Sequence, residues 1–301
     1  MLISRNIHQS KEDKILSWFF LIPVIIVLLL VAFIPLGYGF VFSFFKYKLN
    51  MPSIPVRFVG LENYISMFSD VIFLQSLSNN IFFAFLSVIL EVFLGIVIAM
   101  MLSDSGKVTR FITTVLLIPM VIAPVASGTL WRMMLDRTYG IMNYLISLIG
   151  MAPVSWLSDP DIAIYSVIIV DVWQFTPYVA ILVLSSIKSI PRSFLESAMV
   201  EGASSWRLFR SIIFPIASPV IIIVMMVRFI DAFKVFDTVF VMTQGGPGSS
   251  TEMLPTFIYR QGIKFFKVGY SSASAVLFVI SMILVSLVFS KLRNNQLRRL
   301  N

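Results

Sequence analysis

The chain has 301 residues, 58% of them hydrophobic and 13% charged, with a formal net charge of +8. A soluble domain carries about 25% charged residues, so a chain this apolar cannot hide its side chains in one globular core and reads as a polytopic membrane protein. Cysteine is absent and the single histidine is His8, so disulfides and cysteine nucleophiles are excluded, and zinc binding and general acid–base chemistry lack their usual residue.

Residues 1–16 form a polar, basic tail and residues 17–42 the first hydrophobic run. That run exceeds the about 7–15 residues of a signal-peptide core, and no small-x-small site follows it, so a retained membrane helix is expected. A mixed loop with Lys46, Lys48, Arg57 and Glu62 leads to a second span at 79–102, and 103–107 is a turn. The third span, 111–131, holds Pro119 and Pro124, whose freed backbone groups need partners on neighbouring helices. A second loop covers 132–160, with a short interfacial helix expected at 141–149, and the fourth span is 162–184.

Residues 189–215 are polar yet keep helical periodicity. Phe194, Leu195, Ala198 and Met199 share one face of a helix, with Ser189 as the expected N-cap and Pro191 in the first turn. Gly202 is expected to stop that helix in the left-handed conformation, and Ser204 or Ser205 to cap a second one carrying Trp206, Phe209 and Ile213. An amphipathic helix-turn-helix between two hydrophobic stretches belongs at a membrane surface, where it lies on lipid or docks another protein. The fifth stretch is 211–242, a turn follows at Gln244, Gly245, Gly246 and Pro247, and 256–270 reads as a basic interfacial segment. The sixth span is 272–290, leaving a tail at 291–301. Each span is near the roughly 20 residues that cross a hydrocarbon core. With both tails and the helix-turn-helix on one side, that side has the denser lysines and arginines and is expected to be cytoplasmic.

Ionisable groups inside spans are expensive and face a partner or a watery path. Glu91 lies mid-span in the second stretch, Asp171 in the fourth, and Arg228 and Asp231 three apart on one face of the fifth. Asp171 with Arg228 reads either as an internal ion pair or as part of a substrate site, and Glu91 as an internally hydrogen-bonded carboxyl. An enzyme would need a nucleophile with its base, or metal ligands; without histidine or cysteine in the spans only carboxylates remain, and no such pair sits at a near sequence spacing. The chain also has no Gly-x4-Gly-Lys-Ser/Thr phosphate loop, so it is not expected to hydrolyse ATP by itself.

Glu196, Ala198, Glu201, Gly202, Ala203, Phe209, Ile212, Phe214 and Pro215 resemble the cytoplasmic "EAA" loop of permease subunits in binding-protein-dependent ABC importers of the carbohydrate-uptake type. Ser197 stands where a second alanine is usual and Glu201 where aspartate is commoner. Asn79, Asn80, Gly95, Pro119, Pro124, Trp131, Asn143, Trp156, Pro177 and Gly245-Gly246-Pro247 extend the resemblance over roughly residues 15–290. It implies an all-α fold, the type I ABC importer permease, with six transmembrane helices in one domain over 17–290 and a coupling loop at 189–215.

The resemblance also implies partners and sites. A second permease subunit would complete a heterodimeric pore, with two copies of an ATPase, a solute-binding protein and a sugar or related polyol. No cofactor or metal is expected on this chain, with ATP and magnesium on the partner ATPase. The position would be the bacterial cytoplasmic membrane, multi-pass, with both termini cytoplasmic. Substrate contacts would come from Asp171, Gln174, Phe175, Tyr178, Arg228, Asp231, Ala232 and Val235. Aromatic rings stack on sugar faces while amide and charged groups bond hydroxyls. Arg228 and Asp231 depart from the family's small or amide residues. ATPase coupling would fall to Phe194, Leu195, Glu196, Ala198, Met199, Glu201, Gly202 and Ala203, and binding-protein contact to Gly245, Gly246 and Pro247. A stand-alone ion-coupled carrier or channel for a small polar solute is the alternative.

Overall fold

The computed structural model describes residues 11–51, 53, 55–103 and 106–300. His8 with the start of the N-terminal tail, positions 104 and 105 of the expected turn, and Asn301 lie outside the described residues. The chain divides into two units, one of residues up to 64 with 261–276, the other of 65–260 with 277 onward.

In the first unit, helix α1 (Lys11–Leu28) passes through a π-helical turn (Leu29–Phe33) into α2 (Ile34–Phe42). Proline at position 35 has no N–H to give and its ring would crowd the carbonyl four residues back, so the chain widens to a five-residue repeat, with Ile34 N–H bonding Leu29 O. Side chains from Trp18 to Val41 are largely exposed and apolar, as suits contact with lipid. The loop beyond is more ordered than expected. Strands β1 (Phe45–Lys46) and β2 (Arg57–Phe58) pair antiparallel, Phe45 opposite Phe58. Asn63, in α3 (Glu62–Met67), donates to the carbonyls of Ser43 at 2.8 Å and Phe45 at 3.0 Å.

The second unit is a helical bundle. Its first member, α4, runs Val71–Met101, not 79–102, because Asp70 caps it by accepting from the N–H groups of Ile72 and Phe73. The buried face of α4 carries Ser76, Asn80, Ala84, Ser87, Glu91, Gly95 and Ala99, while Phe82, Phe85, Ile89 and Phe93 point outward. Phe73, Phe83, Val88 and Val92 are buried on it as well, but small and polar residues gathered inside with large apolar ones outside is the pattern of a helix whose solvent is lipid. The expected third span is not one rod. It is split into α5 (Lys107–Leu116), α6 (Ile118–Val121) and α7 (Pro124–Met134), bent by 94° at residues 122 and 123. Pro124 starts α7, where its missing N–H costs nothing, and Ile122 before it is extended.

Helix α8 (Ile141–Leu148) precedes α9 (Ala163–Lys188), the most buried helix, which packs along α4. The helix-turn-helix comprises α10 (Arg192–Val200) and α11 (Ser205–Leu208). A second π turn, Phe209–Ile213, then leads into α12 (Phe214–Phe233), again one residue ahead of a proline, Pro215. The fifth stretch is therefore longer than 211–242 and is broken, since α13 (Asp237–Met242) follows a non-helical step. Helix α12 lies against both α4 and α9, and α13 against α7. Helix α14 (Leu254–Tyr259) and a third π turn (Arg260–Lys264) replace the single interfacial segment expected at 256–270. The last helix, α15, runs Val268–Leu300 and so overruns 272–290 at both ends. By length and composition five helices among the described residues can cross a membrane, six when the bent pair counts as one span.

Candidate functional site

Three ionisable side chains meet in the middle of the bundle. Arg228 of α12 donates from Nε to Glu91 Oε2 at 2.7 Å and from Nη2 to Glu91 Oε1 at 2.8 Å, a two-pronged pair with α4. Its Nη2 also reaches Asp171 Oδ2 of α9 at 3.1 Å. All three side chains are almost wholly buried, with 2%, 0% and 4% exposure for Arg228, Glu91 and Asp171. A charge at this depth survives only when paired and hydrogen-bonded, and here two carboxylates share one guanidinium. The guanidinium carbon also sits 3.9 Å from the centroid of the Phe175 ring, one turn beyond Asp171 on α9. Asp171 and Arg228 are thus ion-paired, and Glu91 is the second and tighter partner of Arg228. Nothing in the local sequence around Glu91 points to Arg228. The usable signal was depth, since both lie well inside apolar helices and neither can stay unpaired there.

The eight expected substrate residues separate into two groups. Asp171, Gln174, Arg228 and Ala232 are buried within the subunit and do not line an open surface. Gln174 is occupied on one side: its Nε2 donates to Ile122 O at 2.8 Å, the carbonyl freed by the break ahead of Pro124, while its Oε1 has no partner among the described residues. Phe175, Tyr178 and Val235 are half-buried and Asp231 is exposed, where Lys234 Nζ holds its carboxylate at 2.9 Å. Trp173, on the same helix, meets Trp131 edge-on at 5.4 Å between centroids.

The helix-turn-helix forms around Gly202, whose φ is +80°. Gly202 N–H bonds Met199 O and Ala203 N–H bonds Ala198 O, both at 3.0 Å, which satisfies carbonyls that the end of α10 leaves free. Ser204 caps α11 by accepting from Arg207 N–H at 3.4 Å. Ser189 does not cap α10; it terminates α9, its hydroxyl bonding Ser186 O, and Pro191 takes the N-cap place. Phe194, Glu196, Met199 and Glu201 are exposed, with Val200 and Trp206 beside them, whereas Leu195, Ala198 and Ala203 are half-buried.

The turn after α13 is held on several sides. Gly245 has φ +87°, and a Cβ there would collide with the Glu252 carboxylate and Arg260. Those two form an ion pair at 2.6 Å, Arg260 also donates to Gln244 O at 2.7 Å, and Thr251 Oγ1 donates to Gly246 O at 2.7 Å. Gly246 itself has no positive φ; the left-handed positions are Gln244, Gly245 and Gly248. From α4, Asn79 Nδ2 donates to the carbonyls of Ser249 and Glu252. Gly246 and Pro247 border a cavity of about 400 Å3 that Arg132, Arg137 and Trp156 also line. Asn143 braces the facing loop, accepting from Val154 N–H and Trp156 Nε1 at 3.0 Å each.

A lipid-adapted helical bundle with a buried charge cluster at its centre and an amphipathic helix-turn-helix at one end defines a membrane-transport subunit. The chain belongs to the family described as binding-protein-dependent transport system inner membrane component, which matches residues 91–301. It is 32% identical over 292 residues to the trehalose/maltose transport system permease protein MalF of Thermococcus litoralis, covering 97% of each chain. It is 31% identical over 271 residues to the sulfoquinovosyl glycerol transport system permease protein SmoG of Agrobacterium fabrum, covering 90% of this chain and 88% of that one. Among solved structures, a chain of a bacterial ABC transporter that imports alginate superposes with a TM-score of 0.83 at 21% identity, covering 94% of this chain and 96% of the other, a likeness of fold. The protein is thus a multi-pass inner-membrane permease subunit of an ABC importer, and the all-α type I fold expected from the EAA-like loop is the fold it has.

Proposed function

We propose that this subunit is one half of a heterodimeric pore for a sugar or related polyol, delivered by an extracytoplasmic binding protein and driven by ATP hydrolysis, with magnesium, on two copies of a partner ATPase. The observation that carries the solute class is the pair of half-buried rings, Phe175 and Tyr178, on one face of α9, with the exposed Asp231 on α12, the helix packed against α9. Rings stack on the C–H faces of sugars, and a carboxylate accepts from their hydroxyls. Full-length similarity to the trehalose/maltose permease supports the same class.

The direct contacts proposed are Phe175, Tyr178, Asp231 and Val235, with the buried Asp171, Gln174, Arg228 and Ala232 behind them. Both termini and α10–α11 face the cytoplasm, where Phe194, Met199 and their neighbours enter a groove on the ATPase and Glu196 and Glu201 pair with basic groups at its rim. The turn at Gly245, Gly246 and Pro247, with its cavity, faces the binding protein. Transport follows from rocking of the two permease subunits about a midplane site as the ATPases close.

Purifying the binding protein with its native ligand and identifying that ligand by mass spectrometry tests the solute class, and a sugar or polyol is expected. Reconstituted in vesicles, the full importer should accumulate this solute only with ATP and binding protein. Flux through this chain alone would favour the stand-alone carrier instead.

A further inference from the structure

We infer that the Glu91–Arg228–Asp171 cluster positions Phe175, fixing the ring as a platform for the transported solute. The inference rests on the reading that Phe175 lines the solute path.

Phe175 is an expected contact that the charge cluster touches directly. Arg228 lies over one face of its ring at 3.9 Å, and the guanidinium is buried, so whatever part of the ring meets the open side is its edge or its other face. A half-buried phenylalanine on a helix can otherwise flip its ring or shift within its rotamer well, and a cation on the ring face restricts that motion. The cation cannot drift either. Glu91 grips it with two parallel bonds from α4 and Asp171 holds it with a third from α9. A planar guanidinium satisfies both demands at once, forked bonding in its plane and stacking above it, and an ammonium does not. Two carboxylates thus act on the solute through Arg228 and Phe175 without touching it. Because one ring face already carries a cation, the ring is left to an uncharged C–H surface such as that of a pyranose.

A purely structural cluster would be replaceable by well-packed apolar residues, whereas a positioning cluster would not. The triple variant Glu91→Leu, Asp171→Leu, Arg228→Met removes all three charges and refills the site with apolar side chains. In the purified importer with its partner subunits, the solute moved per ATP hydrolysed, with the binding protein's native ligand as probe, should fall about 2- to 30-fold, the range of a lost cation–π contact. Phe175→Ala should fall at least as far. Combined with the triple variant, it should cause no further loss, because both act through one ring. If the triple variant transports within about twofold of the wild type, the cluster only packs the bundle and the inference is overturned. Multiplying losses in the combined variant would show that Arg228 does not act through Phe175, which overturns it as well. Should the triple variant fail to assemble, Arg228→Lys replaces it in the same cycle, with the same expectations and the same overturning results. Normal transport by Phe175→Ala alone would instead remove this ring from the path and with it the reading on which the inference rests.

Discussion

Arg228 shows how a side chain too costly for a membrane interior becomes the centre of one. Its three bonds reach two other helices, and both carboxylates it satisfies are themselves buried. Removing the cation alone is therefore worse than removing the whole set. Arg228→Ala strands Glu91 and Asp171 and should cost about 3–5 kcal/mol, read as a lowered thermal midpoint of the purified importer. An unchanged midpoint would mean that the carboxylates find other partners. Outside the spans, Asp136 makes a simpler case. Its Oδ1 accepts from the N–H groups of Thr138 and Tyr139 at 2.9 Å each, and these bonds to the ionised form hold its carboxyl below the ordinary range. With the folded pKa depressed, the stabilisation is complete above the unfolded value and fades as pH falls through the folded one. Protection of the two amides from hydrogen exchange, relative to their intrinsic rates at each pH, should therefore persist down to the ordinary carboxylate range and be lost only under stronger acid; Asp136→Asn should lower that protection at neutral pH.

At the scale of elements, two helices cross so closely that one position admits no side chain. A Cβ on Gly95 of α4 would sit 2.7 Å from Val179 Cγ1 and 3.1 Å from the Ala180 nitrogen of α9. Gly95→Leu should push the pair apart and lower the yield of folded subunit, whereas a leucine at Phe93 on the outward face should not. The helix-turn-helix depends on Gly202 differently, since nothing crowds that site and only φ +80° excludes other residues. Gly202→Val should cost about 1–3 kcal/mol of local strain, leaving the bundle folded but misplacing α10. Pull-down of the ATPase should then weaken, or its hydrolysis lose its dependence on transport; normal binding and transport would reduce α10–α11 to an interfacial hairpin. Elements like these were largely legible in the sequence. Hydropathy located the runs, and the glycine with the serine after it located the knuckle. Boundaries were less so: α4 starts at Val71 because Asp70 caps it, a signal hidden by the polar Gln75, Ser76 and Ser78 that follow. The partners of Glu91 and Gln174 were not legible, because they lie 137 and 52 residues away and only the packing of whole helices brings them near.

Across the whole molecule, the two outward-looking surfaces belong to one stretch of chain. The helix-turn-helix precedes α12 and the Gly245 turn follows α13; α12 alone has 20 residues, about 30 Å of rise and the thickness of a hydrocarbon core. The two surfaces proposed to meet the ATPase and the binding protein are thus joined through the helix that carries Arg228. On the proposed rocking mechanism, motion at either end would reach the charge cluster along this stretch, and the turn would matter only if it is stiff enough to transmit load. Its stiffness comes from the Glu252–Arg260 pair packed against Gly245, from Arg260 bonding Gln244, and from Asn79 bracing it from α4. Gly245→Val meets two obstacles there, a φ that valine rarely adopts and a Cβ that would displace the Glu252 carboxylate. It should loosen the turn without disturbing the cluster, and weaken binding-protein-stimulated uptake several-fold more than Gly246→Ala, whose site is neither left-handed nor tightly crowded. Equal uptake by the two variants would make the turn a connector and place binding-protein recognition elsewhere on that face.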